Sequence, residues 1–356
     1  MSLNWTINRF EKDDLCKIRL FFKRLYTGMG SYGSIDLFNW KIKENYASTG
    51  IINLIKDDKE IVSTTSLTPK FLYYKGKKEI VAEIGDTYTD PDYQRKGMFS
   101  LLINQTRKDS EAKSISFIYG TPNEQSLPGY EKKANFKIIK SIYVKSMSFP
   151  VNISPIISKK THWLLGNFIG YFYLIFLFCI HKFKKLINET DLIEEIIIAK
   201  NIPENWDIFW NKPHKAHDFI FSRDSKALKW RFVNHPYSYK IYYIRREKEI
   251  IGYLSYRILY GNGITNLVIA DYLFINGKEK KLQSLLNRVL KDAIQENVTI
   301  IKVWCPHNSP YFRIFRDFGF ISGGIIPVIC YQNEFALDIL SSCKNWHFTI
   351  SDSDNI

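Results

Sequence analysis

The sequence predicts a mixed α/β protein, of the α+β type, that contains two copies of one layered domain. Strand-like runs alternate with amphipathic helical patterns along the chain, which is typical of sheets flanked by helices. An internal repeat indicates the duplication, because Asp86 and Asn123 lie 37 residues apart, and so do Asp271 and Asn308. The same order of elements follows in both halves, which favours a tandem arrangement over a chance match.

The first half is predicted to contain a short strand and a helix, then strand hairpins, a loop, and alternating helices and strands. Two strands flank the Asp57-Asp58-Lys59 turn, and the next hairpin turns at Lys75-Gly76-Lys77. Pro128 stands in the first turn of a helix, where proline is tolerated. The predicted elements lie in residues 5–27, 51–67, 71–89, 99–110, 115–122, 128–136 and 137–149.

The second half repeats the end of this order. A strand hairpin, a strand, a helix, a strand, a helix and a final strand are predicted in residues 240–258, 267–275, 282–297, 299–306, 309–320 and 325–333. We therefore expect a first domain at 1–150, a connector at 151–200 and a second domain at 201–356.

The composition excludes several classes of protein. Hydrophobic residues make up 45% of the 356 residues, which suffices for sizeable cores and argues against wholesale disorder. The net charge is +14, but the basic residues are scattered and form no helix-turn-helix or zinc-finger pattern, so no nucleic-acid partner is expected. Five widely spaced cysteines without a C-x-x-C pair favour a reducing compartment. The N-terminal stretch has no apolar signal-peptide core.

Two polar stretches of the second half are interpreted mainly as structural. His214 and His217 have a spacing found in metal sites, but no Glu or Cys cluster accompanies them, so no metal is expected. In residues 228–239, LKWRFVNHPYSY, Arg231 stands between two aromatic residues, which favours packing. Binding of a phosphorylated acceptor by Arg231 or His235 is the weaker alternative.

Residues 90–99, DPDYQRKGMF, lie between a predicted strand and a predicted helix. Glycine lets an anion approach the backbone, and a helix N-terminus favours negative charge, so a basic loop with Gly97 suits a phosphate. An offset of 185 residues places Leu282 at the corresponding position of the second half. The sequence therefore predicts an anion site in the first half alone, and Phe99 is expected to pack inward behind the loop. The candidate residues are Gln94, Arg95, Lys96, Gly97, Met98 and Phe99.

This loop resembles the motif of the GNAT family of acyl-coenzyme A transferases, which reads Gln/Arg-x-x-Gly-x-Gly/Ala after a strand and before a helix. Gln94 and Gly97 match two of its places, and Phe99 departs from the third. A later Asn is also typical, and Asn123 and Asn308 stand at that place in the two halves. The resemblance covers nearly the whole chain as a tandem of two GNAT-like domains. The chain is similar to the two-domain GNAT proteins encoded with bacterial surface-polysaccharide genes.

The resemblance implies a fold and a cofactor. Each domain is expected to hold a mixed, mostly antiparallel sheet flanked by helices. Acetyl-CoA is expected to bind the first domain as the acyl donor, without a metal. Thr87, Thr89 and Asn123 are expected to line the cofactor site together with the loop.

The resemblance also implies which residues move protons. Glu83 lies eleven residues before Gln94, at the spacing of the general base in histone-type members of the family. Simple strand alternation places Glu83 and Thr87 on one face of the strand and Asp86 on the other. Asp86 is therefore the second choice of base and a weak candidate for substrate binding. Tyr130 is the expected general acid that protonates the leaving thiolate.

Residues 163–180 form an uncharged, aromatic-rich connector that is followed at once by HKFKK. Its length just qualifies as a transmembrane candidate. A span would, however, separate two domains that are expected to share a pocket. We expect instead a helix in the membrane interface, with residues 163–185 in peripheral contact with anionic headgroups. Hydropathy leaves open the alternative of a buried helix between the domains.

Together these features predict a cytoplasmic N-acyltransferase on the inner face of the membrane. The resemblance implies acetyl transfer to an amino sugar or related amine in cell-surface glycan synthesis, with a catalytically inactive second domain that shapes the acceptor pocket. Three alternatives stay open. They are tRNA-dependent aminoacyl transfer of the Fem type, use of a longer-chain acyl-CoA, and a non-catalytic CoA-binding or membrane scaffold.

Overall fold

The computed structural model of the protein describes residues 5–11, 14–25, 35–159, 164–173, 194–261, 263–342 and 344–353. The chain divides into two compact units. The first unit comprises Met1–Ile142, Asp218–Pro236 and Pro327–Trp346, and the second comprises Tyr143–His217, Tyr237–Ile326 and His347–Ile356. Each unit contains a mixed sheet with helices packed on it, which confirms the predicted fold class.

The strands and helices follow one another closely along both units. The strands of the described residues are β1 (Ile7–Arg9), β2 (Ile51–Asp57), β3 (Glu60–Tyr74), β4 (Lys77–Thr89), β5 (Phe117–Gly120), β6 (Phe136–Ile138), β7 (Val144–Pro150), β8 (Glu194–Ala199), β9 (Phe219–Phe221), β10 (Lys240–Arg246), β11 (Glu249–Gly261), β12 (Ile264–Phe274), β13 (Ile300–Pro306), β14 (Ile321–Ile326), β15 (Ile329–Tyr331) and β16 (Trp346–His347). The helices are α1 (Asp14–Leu25), α2 (Ile35–Phe38), α3 (Met98–Ala112), α4 (Leu127–Lys133), α5 (Ser154–Ser158), α6 (164–173), α7 (Trp206–Trp210), α8 (Ser225–Leu228), α9 (Leu282–Gln295), α10 (Pro310–Phe318) and α11 (Glu334–Ser342).

The sheet of the first unit has the strand order β1-β2-β3-β4-β5-β15-β6, and β9 lies beside β3. Strands β2, β3 and β4 are antiparallel, whereas β4 and β5 run parallel. Helices α3 and α4 pack on this sheet through a core that includes Ile84 of β4, Ile103 of α3 and Phe136 of β6. Burial of each such side chain stabilises the fold by roughly 1.5–3 kcal/mol relative to exposure. This core fixes the start of α3 next to the end of β4.

The sheet of the second unit has the order β14-β7-β13-β12-β11-β10-β8. Helices α9 and α10 cover it with their apolar sides, for example with Leu285 and Phe315. The order β11, β12, loop, α9, β13, α10 repeats the order β3, β4, loop, α3, β5, α4 of the first unit. The predicted duplication of elements is therefore present.

Two strands belong to a different sheet from the one that the sequence order predicts. Strand β7, expected to close the first domain, pairs with β13 and β14 of the second unit. Strand β15, expected in the second domain, lies between β5 and β6 of the first unit. The described units therefore differ from the contiguous ranges 1–150 and 201–356. The apolar alternation of a strand predicts that a strand forms, but it does not identify the neighbour with which that strand pairs.

Candidate active site

The site begins at the turn between β4 and α3. Asp90 caps the 3₁₀ turn Pro91–Tyr93, because its carboxylate accepts a hydrogen bond from the Asp92 N–H at 3.1 Å. Gly97 is the N-cap of α3 and has a φ of 84°. Side chains are strained at this φ, so the backbone here favours glycine. A Cβ atom at Gly97 would meet no heavy atom of the described chain within 4 Å, so the space above the loop is open.

The loop and the start of α3 form an electropositive end. The first N–H groups of a helix have no acceptor within the helix, and among the described residues no side chain caps α3. The first turn of α3 contains no acidic residue. Arg95 precedes it in the left-handed region at φ 62°, and Lys96 Nζ lies 4.7 Å from the centre of the Tyr93 ring. The helix dipole and the two cations together favour an anion such as a phosphate.

Three side chains of the loop and of the start of α3 make contacts that hold the loop in place. Gln94 Nε2 donates to the Thr89 carbonyl at 3.3 Å, and the Met98 side chain is buried. The Phe99 ring packs edge-on against Tyr130 with 5.3 Å between ring centres. Phe99 therefore packs inward, as predicted. Phe99, the residue at which the sequence departs from the family motif, therefore packs against the core.

Strands β4 and β5 separate beside this loop. Their parallel pairing ends at Glu83 and Tyr119, while β4 continues to Thr89. The N–H and C=O groups of residues 84–89 on that edge are consequently not used by the pairing with β5. An exposed strand edge is suited to bind an extended ligand through backbone hydrogen bonds. The opening therefore leads from the loop of residues 94–97 into the sheet.

A β-bulge at Asp86 changes which side chains share a face. The register between β3 and β4 shifts between Thr64 and Ser66, and Asp86 has a φ of 49°. Such bulges redirect side chains and are common beside active sites. The Asp86 carboxylate accepts a hydrogen bond from Ser66, which lies on the same face of β3 as Lys70, the partner of Glu83. The prediction that Asp86 and Glu83 lie on opposite faces of β4 is therefore wrong. Simple alternation fails here because the bulge adds one residue to β4. For the same reason Thr87 lies with Thr65 on the face opposite Glu83, and the prediction that Glu83 and Thr87 share a face is also wrong.

Glu83, the predicted base, lies in a buried ion pair. Its Oε2 atom is 2.6 Å from Lys70 Nζ, and both side chains are only 4% exposed. The low exposure of both side chains limits the access of a ligand to the Glu83 carboxylate. Such a pair fixes geometry, and breaking it leaves an uncompensated buried charge.

Asp86 is more accessible than Glu83. Its Oδ2 atom accepts hydrogen bonds from Lys41 Nζ at 2.8 Å and from Ser66 Oγ at 2.7 Å. Its Oδ1 atom accepts no hydrogen bond from any residue that the structure describes. The side chain is 24% exposed. One carboxylate oxygen of Asp86 is thus held in place, while the other is available to a ligand.

Tyr130, the predicted acid, reaches the same region from α4. Its hydroxyl donates to Thr87 Oγ1 at 2.7 Å, and Thr87 Oγ1 lies 2.9 Å from Thr65 Oγ1. Burial raises the pKa of Tyr130 well above its ordinary value, and the nearby charges of Asp86 and Glu83 raise it further. The hydroxyl therefore keeps its proton at neutral pH, as a proton donor must.

The other predicted residues have structural contacts. Thr89 Oγ1 lies 2.8 Å from Ser63 Oγ. Asn123 Oδ1 accepts hydrogen bonds from the Ser126 N–H and hydroxyl, both at 2.9 Å, and so fixes the start of α4. Arg231 is buried, with its guanidinium 5.5 Å from the centre of the Trp40 ring. The structure thus brings Glu83, Asp86, Thr87 and Tyr130 together and places Asn123 at the adjoining turn.

Sequence analysis did not identify the lysines that pair with the two carboxylates. Lys41 follows Trp40 in a π-helical turn, and Arg231 follows Trp230 in another one 190 residues later. The two tryptophan rings stack with 4.3 Å between centres, and each indole N–H donates to the other's backbone carbonyl. This repeated pair of tryptophan and basic residue was the available signal for Lys41. No comparable signal marks Lys70.

His214 and His217, which have a spacing found in metal sites, lie in aromatic surroundings. His214 stacks on Trp210 and its Nδ1 atom is 2.8 Å from the Trp210 carbonyl. The His217 ring lies 5.2 Å from the His347 ring. Within the part of the chain that the structure describes, no three metal-ligating side chains lie close enough together to hold an ion.

One known family matches the N-terminal part of the chain. Residues 7–138 match the family described as acetyltransferase (GNAT) domain. This range contains the loop, both carboxylates and Tyr130. The predicted enzyme class, an acyltransferase, is thereby confirmed. No curated protein sequence matches the chain.

Solved structures with the same fold cover most of the chain at low sequence identity. A probable N-acyltransferase from Enterococcus faecalis V583 has a TM-score of 0.62 at 12% identity, and the match covers 92% of this chain and 72% of that one. The N-myristoyltransferase of Saccharomyces cerevisiae with bound myristoyl-CoA has a TM-score of 0.62 at 12% identity, with 92% and 78% covered. A tandem GNAT protein from the clavulanic acid pathway has a TM-score of 0.59 at 9% identity, with 92% and 98% covered. These matches show that the tandem fold extends across the chain.

Proposed function

We propose that the first unit is an acyl-CoA-dependent N-acyltransferase that uses acetyl-CoA as its donor. The observation that carries this proposal is the open, left-handed Gly97 at an uncapped helix N-terminus. It lies beside the end of β4, where pairing with β5 has stopped. These residues fit the chemistry of a CoA ester, which needs an anion site for its phosphates and an edge for its extended amide-containing arm.

The chain's own residues bind and orient both reactants in this proposal. The N–H groups at the start of α3, with Arg95 and Lys96, hold phosphate oxygens. The edge of residues 84–89 holds the arm that leads to the bulge at Asp86. Bound acyl-CoA supplies a thioester carbonyl and a thiolate leaving group.

Asp86 takes the role of base in this proposal, in place of Glu83. The acceptor arrives as an ammonium ion, and the available Oδ1 atom of Asp86 accepts one of its protons. The resulting neutral amine forms the new C–N bond as the C–S bond breaks. Lys41 and Ser66 position Asp86, while the buried pair of Glu83 and Lys70 supports the strand behind it.

Tyr130 acts as the acid. Its hydroxyl gives a proton to the departing sulfur, and Thr87 holds the phenol in position. The second N–H proton of the amine passes to solvent as the amide forms. Exchange with solvent returns the proton of Tyr130 and removes the proton of Asp86, so that amine and thioester become amide and thiol.

The finer parts of the proposal concern the acceptor and the donor chain length. We propose an amino sugar of a cell-surface glycan precursor in the cytoplasm, which is supported by the family resemblance. A primary amine also suits the acidic side of the bulge. A longer acyl chain is the second candidate for the donor, since a yeast structure with the same fold holds myristoyl-CoA.

Titration calorimetry with acetyl-CoA and CoA tests the proposal. The variant Gly97→Leu introduces the residue that stands at the same place in the second copy. It is expected to weaken binding about 100-fold, equivalent to the loss of one or two charge-assisted hydrogen bonds. The matched control is Gly277→Leu, because Gly277 has a similar φ of 81° and open space in the corresponding loop of the second unit.

The control variant is expected to bind acetyl-CoA as the unaltered chain does. If the unaltered chain binds neither acetyl-CoA nor CoA, the proposed enzyme function fails. If Gly97→Leu binds as tightly as the control, the phosphate site lies elsewhere. Turnover of acetyl-CoA against myristoyl-CoA, with amino sugars as acceptors, then decides between the two donors.

A further inference from the structure

Helix α6 presents a strip of exposed apolar side chains. The apolar strip consists of Leu164, Leu165, Phe168, Ile169, Tyr171 and Phe172, whose exposed fractions range from 38% to 64%. At 100° per residue these positions fall on one side of the helix. Soluble surfaces rarely leave so many large apolar groups in one contiguous patch unless the patch binds something.

The opposite side of α6 is packed against the second unit. Gly166 and Gly170 are buried there, and a Cβ atom on either would lie 2.1 Å from Ser158 Oγ or 2.7 Å from Ser154 Cβ. The Tyr173 hydroxyl donates to the Pro150 carbonyl at 3.0 Å. The small glycines thus let α5 and α6 approach closely. This contact holds the helix with its apolar strip facing outward.

The charge of the surrounding chain indicates what the strip meets. From Tyr143, where the second unit begins, to residue 188 the sequence contains six lysines and no Asp or Glu. Lys159, at the end of α5, is exposed close to the start of α6 in the chain. An apolar aromatic strip within a lysine-rich stretch of chain that has no acidic residue suits a surface with an apolar interior and anionic headgroups. A second copy of the strip would bring the same positive charge with it, so self-association is opposed.

We infer that α6 docks on the surface of an anionic lipid bilayer, with the apolar strip buried at the boundary between headgroups and acyl chains. Among the described helices, none is long and apolar enough to span a membrane, and α6 has only ten described residues. The helix therefore lies in the plane of the surface in this inference. Residue 163 and residues 174–185 of the predicted peripheral segment lie outside the described residues.

Flotation of the full chain with vesicles tests the inference. Vesicles of phosphatidylcholine with a minor fraction of phosphatidylglycerol are expected to bind the protein, and high salt is expected to weaken binding. Vesicles of phosphatidylcholine alone are expected to bind it poorly. The variant Phe168→Ser/Phe172→Ser is expected to lower the bound fraction about tenfold or more, since each exposed aromatic contributes apolar area to insertion.

The matched control is Ile208→Ser/Tyr260→Ser, which removes two exposed apolar side chains elsewhere in the second unit, 68% and 72% exposed. This control is expected to float as the unaltered chain does. Equal flotation of the strip variant, or no flotation of the unaltered chain, overturns the inference. The inference is also overturned if light scattering shows a dimer that is lost in the strip variant but kept in the control. In that case a second copy of the chain covers the strip.

A labelled variant keeps the test decisive if the serine variant folds poorly. An environment-sensitive dye attached at Phe168→Cys is expected to shift its emission to the blue when anionic vesicles are added. The same dye attached at Ile208→Cys is expected to show no shift. Absence of a shift at position 168 overturns the inference independently of flotation.

Discussion

The two copies of the loop between strand and helix differ in how they use the same backbone positions. In the first unit Gly97 is open and the first turn of α3 has no acidic residue. In the second unit Leu282 takes that place and is buried at the start of α9. Glu279, just before it, accepts a hydrogen bond from the Gly277 N–H at 3.0 Å. A side-chain carboxylate therefore satisfies in the second copy the kind of backbone donor that a phosphate would meet in the first.

The region where the parallel strands separate also differs between the two units. Beyond the pairing of β12 with β13, the Tyr272 hydroxyl donates to the Trp304 carbonyl, and the Tyr311 hydroxyl accepts from the Phe274 N–H. Asp271, the counterpart of Asp86, is fully buried and accepts hydrogen bonds from Tyr253 and Thr349. The Asp86 side chain is instead 24% exposed, and both of its side-chain hydrogen bonds to the described residues are made by Oδ2. In the second unit, buried side chains of the chain itself therefore occupy the region that is open in the first unit, and their hydrogen bonds make it part of the core.

The paired aspartates give the largest expected effect. Asp86→Asn is expected to lower kcat/KM about 10³-fold, within the range for loss of a general base. Asp271→Asn is expected to leave kcat/KM unchanged. It should instead lower the free energy of unfolding by about 1–3 kcal/mol, because buried donors lose their carboxylate. Steady-state kinetics and urea unfolding of both variants check this contrast.

A pH series separates a base from a purely structural aspartate. The loss of kcat/KM in Asp86→Asn is expected to become smaller as the pH rises, because more of the acceptor amine is then already neutral. A deficit of equal size at every pH would contradict the role of Asp86 as a base. Full loss of turnover in a folded Glu83→Gln variant would return that role to Glu83.

The buried ion pair of the first unit has no counterpart in the second. The offset of 185 residues makes Val268 the residue that corresponds to Glu83. The pairing of β11 with β12 makes Leu259 the residue that corresponds to Lys70. Glu83→Gln is expected to lower the free energy of unfolding by about 3–5 kcal/mol, because Lys70 is left charged and buried. The double variant Lys70→Leu/Glu83→Val is expected to recover most of this loss, as measured by urea unfolding. A double variant as unstable as the single one would show that the pair cannot be replaced by packing.

The two tyrosines give the smallest effect. Tyr130→Phe is expected to lower kcat about 100-fold through loss of the acid. Tyr311→Phe is expected to leave kcat unchanged and to cost about 1 kcal/mol of unfolding free energy, because the Phe274 N–H loses its acceptor. Because burial raises the pKa of Tyr130, its donor form persists above pH 10, so activity in the unaltered chain should show no loss from this group between about pH 8 and 10. If kcat of the unaltered chain falls between about pH 8 and 10, and this fall is absent in Tyr130→Phe, the assignment of Tyr130 as an acid with a raised pKa is contradicted.

The same pKa shift has a consequence for stability. A neutral Tyr130 in the folded state contributes stability that is fully present below the tyrosine pKa of the unfolded chain, which is about 10. This contribution is lost as the pH rises through the higher pKa of the folded state. The urea concentration at the midpoint of unfolding should therefore decrease as the pH rises above the tyrosine pKa of the unfolded chain. The decrease should be less steep in Tyr130→Phe.

Features that depend on local sequence were predictable. The hairpins, the duplication, the loop at Gly97 and the inward packing of Phe99 follow from periodicity, spacing and the conformational preference of glycine. They need only neighbours in the chain. Tyr130 and Thr87 were both identified, although their mutual hydrogen bond was not.

Features that depend on pairing across the sheet were not predictable. The bulge at Asp86 arises from the register between two strands, and one extra residue there reverses a face assignment. Lys41 reaches Asp86 across 45 residues, and Lys70 reaches Glu83 across 13. A single sequence contains no record of such partners. The exchange of β7 and β15 is missed for the same reason, because strand patterns do not specify neighbours.

Completion of the first unit depends on β15, which follows most of the second unit in the chain. This strand lies between β5 and β6, yet about 190 residues separate it from β6 in the chain. A ribosome must therefore translate most of the second copy before the sheet of the first can be completed. Pairing over such distances slows folding, and no cut at a single point releases the first unit whole. Truncation before β15 would therefore remove a strand of the first unit together with the second unit.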